Sequence, residues 1–283
     1  ELIFKDEKID IVSLASYDNY HAKQILLGIA NDKHIMAEKP LCLSQDELDA
    51  IIKAKQTKPD LKLSANHVLR TTSRFKRIKK DIKKGDFGKI FYLEGDYLWG
   101  RKEKLFDWRA EMDFYSIILG AAVHMIDLIM WFLDSKPVTV YAVGNKISTL
   151  DSELNYNSFA TITLQFENGT IAKITGNGGC VHPHYHEVKI YGTEKTAVHN
   201  FNGAYYLNSS IPDTKLQPIN ESYPDKESRE KVIHSFVDSI LDSSLEPIVP
   251  EQEVFDLMSV CLAAEESMNK GQKVYINYPS KPL

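Results

Sequence analysis

Between residues 9 and 65 the chain alternates short apolar runs with amphipathic stretches, and this rhythm narrows the possible folds more than any other feature. Ile9 to Ala15 is a continuous apolar run of the kind buried on both faces of a parallel sheet. Tyr20 to Ala30 places Ile25, Leu26 and Ile29 at helical spacing, and His34 to Ala37 is a second short strand. Ser44-Gln45-Asp46-Glu47 is a capping box, with Ser44 accepting from the Glu47 amide and Glu47 reaching back. It opens a helix through Ala54 that ends ahead of Pro59, and Leu61 to Ala65 forms a third strand. The pattern β-α-β-α-β with short connections predicts a parallel sheet layered by helices.

Beyond residue 70 the rhythm changes. Arg74 to Lys84 reads as a basic amphipathic helix closed by Gly85, Ile90 to Trp99 as a long strand, and Ser116 to Leu133 as a largely apolar helix. Val138 to Lys146, Phe159 to Phe166 and Thr170 to Asn177 are strands, the last two joined by the hairpin turn Asn168-Gly169. Further strands are predicted near 188–191 and 196–201, a polar surface loop over 208–227, and closing helices over 229–241 and 251–268. Strands in series without intervening helices predict an antiparallel sheet. The expected organisation is an α/β unit over residues 1–70 and an α+β unit over 71–283, with the helix 251–268 packing back on the first.

Composition sets limits on function. At 283 residues, 43% hydrophobic and 26% charged, the chain has the makeup of a globular protein with a sizeable core. Lys and Arg total 34 against 39 Asp and Glu, a net charge of −5, which gives no electrostatic case for nucleic acid or an anionic membrane. Cys42, Cys180 and Cys261 are widely spaced and form no C-x-x-C, so free thiols in a reducing, cytoplasmic setting are expected. The apolar stretch Ile117 to Leu133 is interrupted by His124 and Asp127 and is too short and too polar to span a bilayer. The first residue is Glu1, directly in a helix-like segment, and further chain is expected ahead of it.

Open parallel sheets bind ligands beyond the carboxyl ends of their strands. Three such ends carry polar groups: Ser16-Tyr17-Asp18-Asn19-Tyr20-His21, Glu38-Lys39-Pro40, and Asn66-His67. Each has a plain structural reading by itself, Asn19 as a helix cap and Glu38–Lys39 as a solvated pair, but together they favour a site. Pro40 biases Lys39 towards an extended backbone. A lysine at a strand end can donate a proton or hydrogen bond to a substrate oxygen, and desolvation lowers its pKa towards a useful range. His124 and Asp127, three residues apart on one face of an apolar helix, need a reason for their burial; a core histidine paired with its helical neighbour is the simplest. Trp108 beside Arg109 suits a sugar or nucleotide ring. His182, His184 and His186 alternate as on a strand, which fits sheet packing or the lining of a cleft, and no metal site is expected.

These residues resemble the Gfo/Idh/MocA oxidoreductases over nearly the whole chain. Asp10-Ile11-Val12-Ser13-Leu14-Ala15 with His21-Ala22 is similar to the family's strand and helix at the nicotinamide side. His34-Ile35-Met36-Ala37-Glu38-Lys39-Pro40-Leu41 resembles its E-K-P motif, and Gly85-Asp86-Phe87-Gly88-Lys89-Ile90 its glycine turn before the second domain. Val123-His124-Met125-Ile126-Asp127-Leu128 is similar to the helix that carries the active-site histidine, and Tyr191-Gly192-Thr193-Glu194 to a late turn. The resemblance implies a Rossmann-like nucleotide domain, N-terminally incomplete here, followed by an α+β domain with a large, mostly antiparallel sheet. It implies Lys39 and His124 as catalytic residues. Ser16, Tyr17, Asn19, His21, Glu38, Lys39, Pro40, Asn66, Trp108 and Arg109 would meet an NAD or NADP cofactor. Lys39, Arg109, Tyr115, His124 and Asp127 would meet substrate.

Two departures stand out. The family's opening strand and G-x-G-x-x-G turn have no counterpart, so a missing first βαβ unit is expected, and the choice between NAD and NADP lies upstream of residue 1. Many members carry an aspartate four residues before the histidine, where this chain has Gly120, which leaves Tyr115 or Asp127 to assist Lys39 and His124. The leading expectation is an NAD(P)-dependent dehydrogenase or reductase acting on a secondary alcohol or ketone of a sugar, sugar derivative or cyclitol. The alternatives are an NAD-retaining glycosidase and a non-catalytic sugar- or cofactor-binding protein. A homodimer or homotetramer formed through the open sheet face is expected, with no nucleic-acid partner.

Overall fold

A computed structural model describes residues 2–279. A short helix α1 (Leu2–Lys5) leads into three parallel strands, β1 (Ile11–Leu14), β2 (His34–Ala37) and β3 (Leu63–Ala65), in the order β1-β2-β3. Helices α2 (His21–Ala30) and α3 (Gln45–Gln56) connect them, as the apolar spacing predicts. Ser44 accepts the Glu47 amide at 3.2 Å, while the Glu47 carboxylate reaches back one residue further than in the simplest capping box, to the Leu43 amide at 2.7 Å.

Helix α4 (Ser73–Lys83) ends at a left-handed Gly85 and leads to β4 (Ile90–Leu98). Then come α5 (Val123–Leu133), β5 (Pro137–Asn145), β6 (Phe159–Phe166), β7 (Ile171–Asn177), β8 (Tyr185–Gly192) and β9 (Thr196–Asn200). The remaining elements are β10 (Gly203–Leu207), β11 (Gln217–Pro218), α6 (Glu230–Leu241), α7 (Glu251–Lys270) and β12 (Val274–Tyr275). Nine strands form one sheet in the order β11-β10-β9-β8-β4-β7-β6-β5-β12. It is mixed: every neighbouring pair is antiparallel except β4 and β7. The expectation from strands in series misses this one pairing because β4, separated from β5 by α5, inserts between β7 and β8 instead of joining its successor.

One face of the sheet buries α5, whose residues from Val123 to Phe132 are nearly all enclosed. Gly176 on β7 permits the contact, since a Cβ there would lie 3.0 Å from the Ile117 carbonyl oxygen. Helix α7 packs on β5 and also on α3 and β3. It is tied to the first sheet by Ser64 Oγ donating to Val249 O at 2.8 Å and by a Lys55–Glu251 ion pair at 3.5 Å. Within 208–227, expected as a surface loop, β11 adds a two-residue strand and Ile219 is buried. Cys42 and Cys261 are buried and Cys180 half-buried, all as free thiols. Among the described residues no helix is long and apolar enough to cross a membrane.

Candidate active site

The parallel register of β2 and β3 sets Ala37 opposite Ala65, so Glu38-Lys39 and Asn66-His67 leave the sheet side by side. Asn66 Nδ2 donates to Glu38 Oε1 at 2.6 Å, and its amide donates to Ala37 O at 2.9 Å. Glu38, Lys39 and Asn66 form one wall of a cavity of about 360 Å³, whose other wall holds His124, Tyr97, His184, His186, Arg101 and Arg229. A space of this size accepts a small organic ligand.

Helix α5 delivers His124, the one residue from Ala121 to Met130 that is not buried. Its ring lies flat against Tyr97, with centroids 5.5 Å apart and planes 8° apart. Its Nδ1 is enclosed and has no hydrogen-bond partner among the described residues. Burial, reinforced by the positive charge of Lys39 and by neighbouring histidines, holds the His124 pKa well below 6.5, so the ring is neutral at pH 7 and able to accept a proton. His184 and His186 are also lowered, chiefly by burial.

The Lys39 ammonium crosses to the opposite wall and donates to Gly120 O at 2.9 Å. Burial pulls its pKa below the ordinary lysine value; Asp18 and Glu38 oppose that shift and Arg109 adds to it. Gly120 lies in a π-helical turn, Ile118–Ala122, immediately ahead of α5. A Cβ at position 120 would sit 2.7 Å from the Tyr115 hydroxyl, so the tyrosine occupies the volume that a larger residue would need. That hydroxyl is buried without a partner, and burial drives its pKa up.

Three expected cofactor contacts form a stack instead of a cavity wall. Tyr17 lies parallel to Trp108 at 4.5 Å, and the Arg109 guanidinium sits 4.1 Å from the Trp108 ring centroid and 5.2 Å from that of Trp99. The Arg109 charge still acts on Lys39, Asp18 and Tyr115. Ser16 Oγ donates to Gln24 Oε1 at 2.8 Å, and Asn19 is exposed on the turn Asp18–Tyr20.

Other expected residues are placed differently. His21 is fully enclosed, its ring nitrogens 2.7 Å from Pro40 O and 3.1 Å from Ser16 O, so it clamps two strand-end turns together and has no face left for a cofactor. Pro40 is buried in that clamp. Asp127 does not reach the cavity. It takes a bidentate pair from Arg70, with Nη2 to Oδ1 at 2.6 Å and Nε at 3.1 Å, and Arg70 also engages Glu253 of α7. Asp127 lies about one turn further along the same helix face, level with the segment Val68–Thr71, where Arg70 takes up its carboxylate before it can face the cavity. His182 lies ahead of β8, which begins at Tyr185, and packs on Phe201 at 5.3 Å, so only His184 and His186 line the cavity.

Sequence reasoning passed over Tyr97, Arg101, Arg229 and Asp18. Asp18 shares the turn after β1 with the residues that were singled out, and its carboxyl is raised by burial and drawn back by Lys39. Tyr97 sits at an ordinary inward position of β4, and Arg101 and Arg229 on loops far apart in sequence carry no local signal.

Residues 1–67 match the family model described as "Oxidoreductase family, NAD-binding Rossmann fold", and residues 75–198 match the "GFO/IDH/MocA C-terminal domain". The uncharacterized oxidoreductase YrbE of Bacillus subtilis (strain 168) is 25% identical over 289 residues, covering 99% of this chain and 82% of that protein. Myo-inositol 2-dehydrogenase of Thermotoga maritima is 22% identical over 199 residues, 68% of this chain and 57% of that one. The crystal structure of scyllo-inositol dehydrogenase from Lactobacillus casei, with bound NAD(H) and scyllo-inositol, superposes with a TM-score of 0.79 at 20% identity, over 96% of this chain and 82% of that chain. With residues 1–67 matching the family's nucleotide domain and residues 75–198 its C-terminal domain, together more than half of the chain, the protein belongs to the Gfo/Idh/MocA oxidoreductase family.

Proposed function

We propose that this protein is an NAD(P)-dependent oxidoreductase acting on a secondary alcohol or ketone of a sugar, sugar derivative or cyclitol. The observation that carries the reading is the convergence of a neutral histidine, His124, and a buried lysine, Lys39, on one cavity at the carboxyl edge of a parallel sheet. The residues present fit a nicotinamide. Glu38 and Asn66 offer polar groups at the strand ends, and the enclosed Nδ1 of His124 has no partner among the described residues. A nicotinamide bound there supplies the hydride-exchanging carbon.

In the oxidation direction, neutral His124 takes the proton of the substrate hydroxyl, and the Lys39 ammonium donates a hydrogen bond to the same oxygen. In reduction the imidazolium returns that proton. Gly120 O holds the ammonium in place, and the Tyr97 ring holds the imidazole. Residues 1–70 supply the nucleotide side and 71–283 the substrate side. The Thermotoga relative acts on myo-inositol and the Lactobacillus enzyme binds NAD(H) with scyllo-inositol, which supports the substrate class. The unpaired thiols fit a cytoplasmic protein. Exposed Tyr141 and Val143 of β5 and Ile171 of β7 support assembly of copies through the open sheet face.

The test is a panel of sugars and cyclitols with NAD and NADP separately, followed at the reduced-nicotinamide absorbance of the full-length protein. His124→Ala and Lys39→Ala are expected to lower kcat by roughly 10²–10⁴-fold with the fold intact. Turnover equal to wild type in both variants would sink the assignment.

A further inference from the structure

At the end of the cavity away from Lys39, two arginines converge without a carboxylate to meet them. Arg101, on the loop after β4, and Arg229, just ahead of α6, line the same space as His184 and His186. Among the described residues neither guanidinium has an acidic oxygen within 4.0 Å, whereas Arg70 and Arg77 do. Arg101 Nε is enclosed and unpartnered. A buried N–H without an acceptor costs free energy that a bound ligand can recover.

The nearby carboxylates do not supply that acceptor. Glu38 is engaged by Asn66, and Asp225 by the Ser73 amide and hydroxyl. Glu230 lies on the wall but is exposed and forms no ion pair among the described residues. The space also continues past Arg229, His184 and His186 into an adjoining cavity of about 270 Å³ that adds Tyr185, Tyr223, Lys226 and the Asp225 already held by Ser73. The extension thus brings a third cation and two aromatic faces. Two converging positive charges repel each other, and the guanidinium fork matches carboxylate and phosphate oxygens better than it matches a hydroxyl.

We infer that the substrate is an anionic sugar, one whose carboxylate or phosphate is held by Arg101 and Arg229 while its reacting carbon lies between Lys39 and His124. The inference rests on the oxidoreductase reading for the second half of that statement only. With His184 and His186 neutral, the positive charge at that end comes from the two arginines and Lys226, and the imidazoles give the ligand further hydrogen-bond partners.

Binding to the full-length protein is measured by calorimetry, without turnover, for glucose, glucuronate and glucose 6-phosphate, at low and at high salt. Glucuronate or glucose 6-phosphate is expected to bind at least tenfold more tightly than glucose, and to weaken with salt as glucose does not. Whichever anion binds better tells carboxylate from phosphate. Arg229→Gln and Arg101→Gln are each expected to weaken that anion about tenfold and leave glucose unchanged. Arg229 is exposed, so its variant gives a readout even if Arg101→Gln misfolds. In turnover the same variants should raise KM and spare kcat. Equal affinity for glucose and both anions, or an unchanged anion affinity in Arg229→Gln, would overturn the inference. Anion binding without nicotinamide reduction on any sugar would leave it standing and count against the oxidoreductase reading instead.

Discussion

Lys39 and Gly120 meet across the cavity: the ammonium at the end of β2 donates to the carbonyl oxygen of the π-helical turn, 2.9 Å away. The contact joins the strand-end side of the site to the helix that carries His124 one turn later. Where many family members place a carboxylate, this chain offers Lys39 a backbone dipole. A carbonyl compensates a buried ammonium less than a carboxylate does, in keeping with the lowered Lys39 pKa.

Gly120 is expected to tolerate no side chain. Gly120→Ala would bring a Cβ to 2.7 Å from the Tyr115 hydroxyl and 3.1 Å from its ring, and overpacking of this kind costs about 1–3 kcal/mol. Denaturant unfolding should register that loss. Tyr115→Phe in the same background should recover part of it, since the closest atom is the hydroxyl. A Gly120→Ala protein as stable as wild type would show that Tyr115 moves freely.

Removing Asp127 should act on stability. The Asp127→Ala change leaves the Arg70 guanidinium buried without its bidentate partner, a loss of about 3–5 kcal/mol. Arg70→Met combined with Asp127→Leu should restore much of it by removing both charges. If Asp127→Asn instead raised KM at unchanged stability, Asp127 would be reaching substrate after all.

One carboxyl gives a contribution to folding stability that falls as pH rises from about 4.5 to about 7, while the buried histidines, with lowered pKa values, act in the opposite direction. Glu265 of α7 is pushed up to about 7 by burial, with a Ser116 hydroxyl hydrogen bond opposing the shift. Since its ordinary value is 4.5, the folded protein holds a proton across this window that the unfolded chain releases. The contribution present at pH 4.5 is therefore lost by pH 7, a change on the order of 3 kcal/mol. Ser116 also accepts the Ile118 and Leu119 amides at 3.0 Å, so the carboxyl anchors the start of the turn that leads to His124. The stability of wild type relative to Glu265→Gln should therefore decline from pH 4.5 to pH 7, the histidine contributions cancelling in the comparison.

The oxidation rate should follow the opposite direction. His124 must be neutral to accept a proton, and burial holds its pKa well below 6.5, so the rate should be level through neutral pH and fall only in acid below 6.5. A kcat/KM profile with its acid limb at or above 6.5 would contradict this environment for His124.

Much of the first sheet could be read directly from the chain, because each of its signals is local. The apolar runs after Asp10, His34 and Leu61, the Ser44 cap and the turn residues lie within a few positions of the elements they set. The E-K-P tripeptide and the polar interruption of an apolar helix at His124 marked the two groups that meet at the cavity. Local signals fail where partners come from afar. The parallel pairing of β4 with β7 joins segments some eighty residues apart, and the short strands β10 to β12 exist only because an edge is there to pair with.

What the sequence determined by itself is the longer helices and strands, the strand-end positions of Glu38, Lys39 and Asn66, and the helical position of His124, since periodicity and turn chemistry act over one or two turns of chain. Tertiary structure decided which polar groups are free. It bound His21 to two carbonyls and Asp127 to Arg70, set Tyr115 against Gly120, and brought Arg101 and Arg229 to one cavity. A polar side chain is available to a ligand only when no nearer partner satisfies it, and in a packed interior those partners come from segments that neighbour it in space alone.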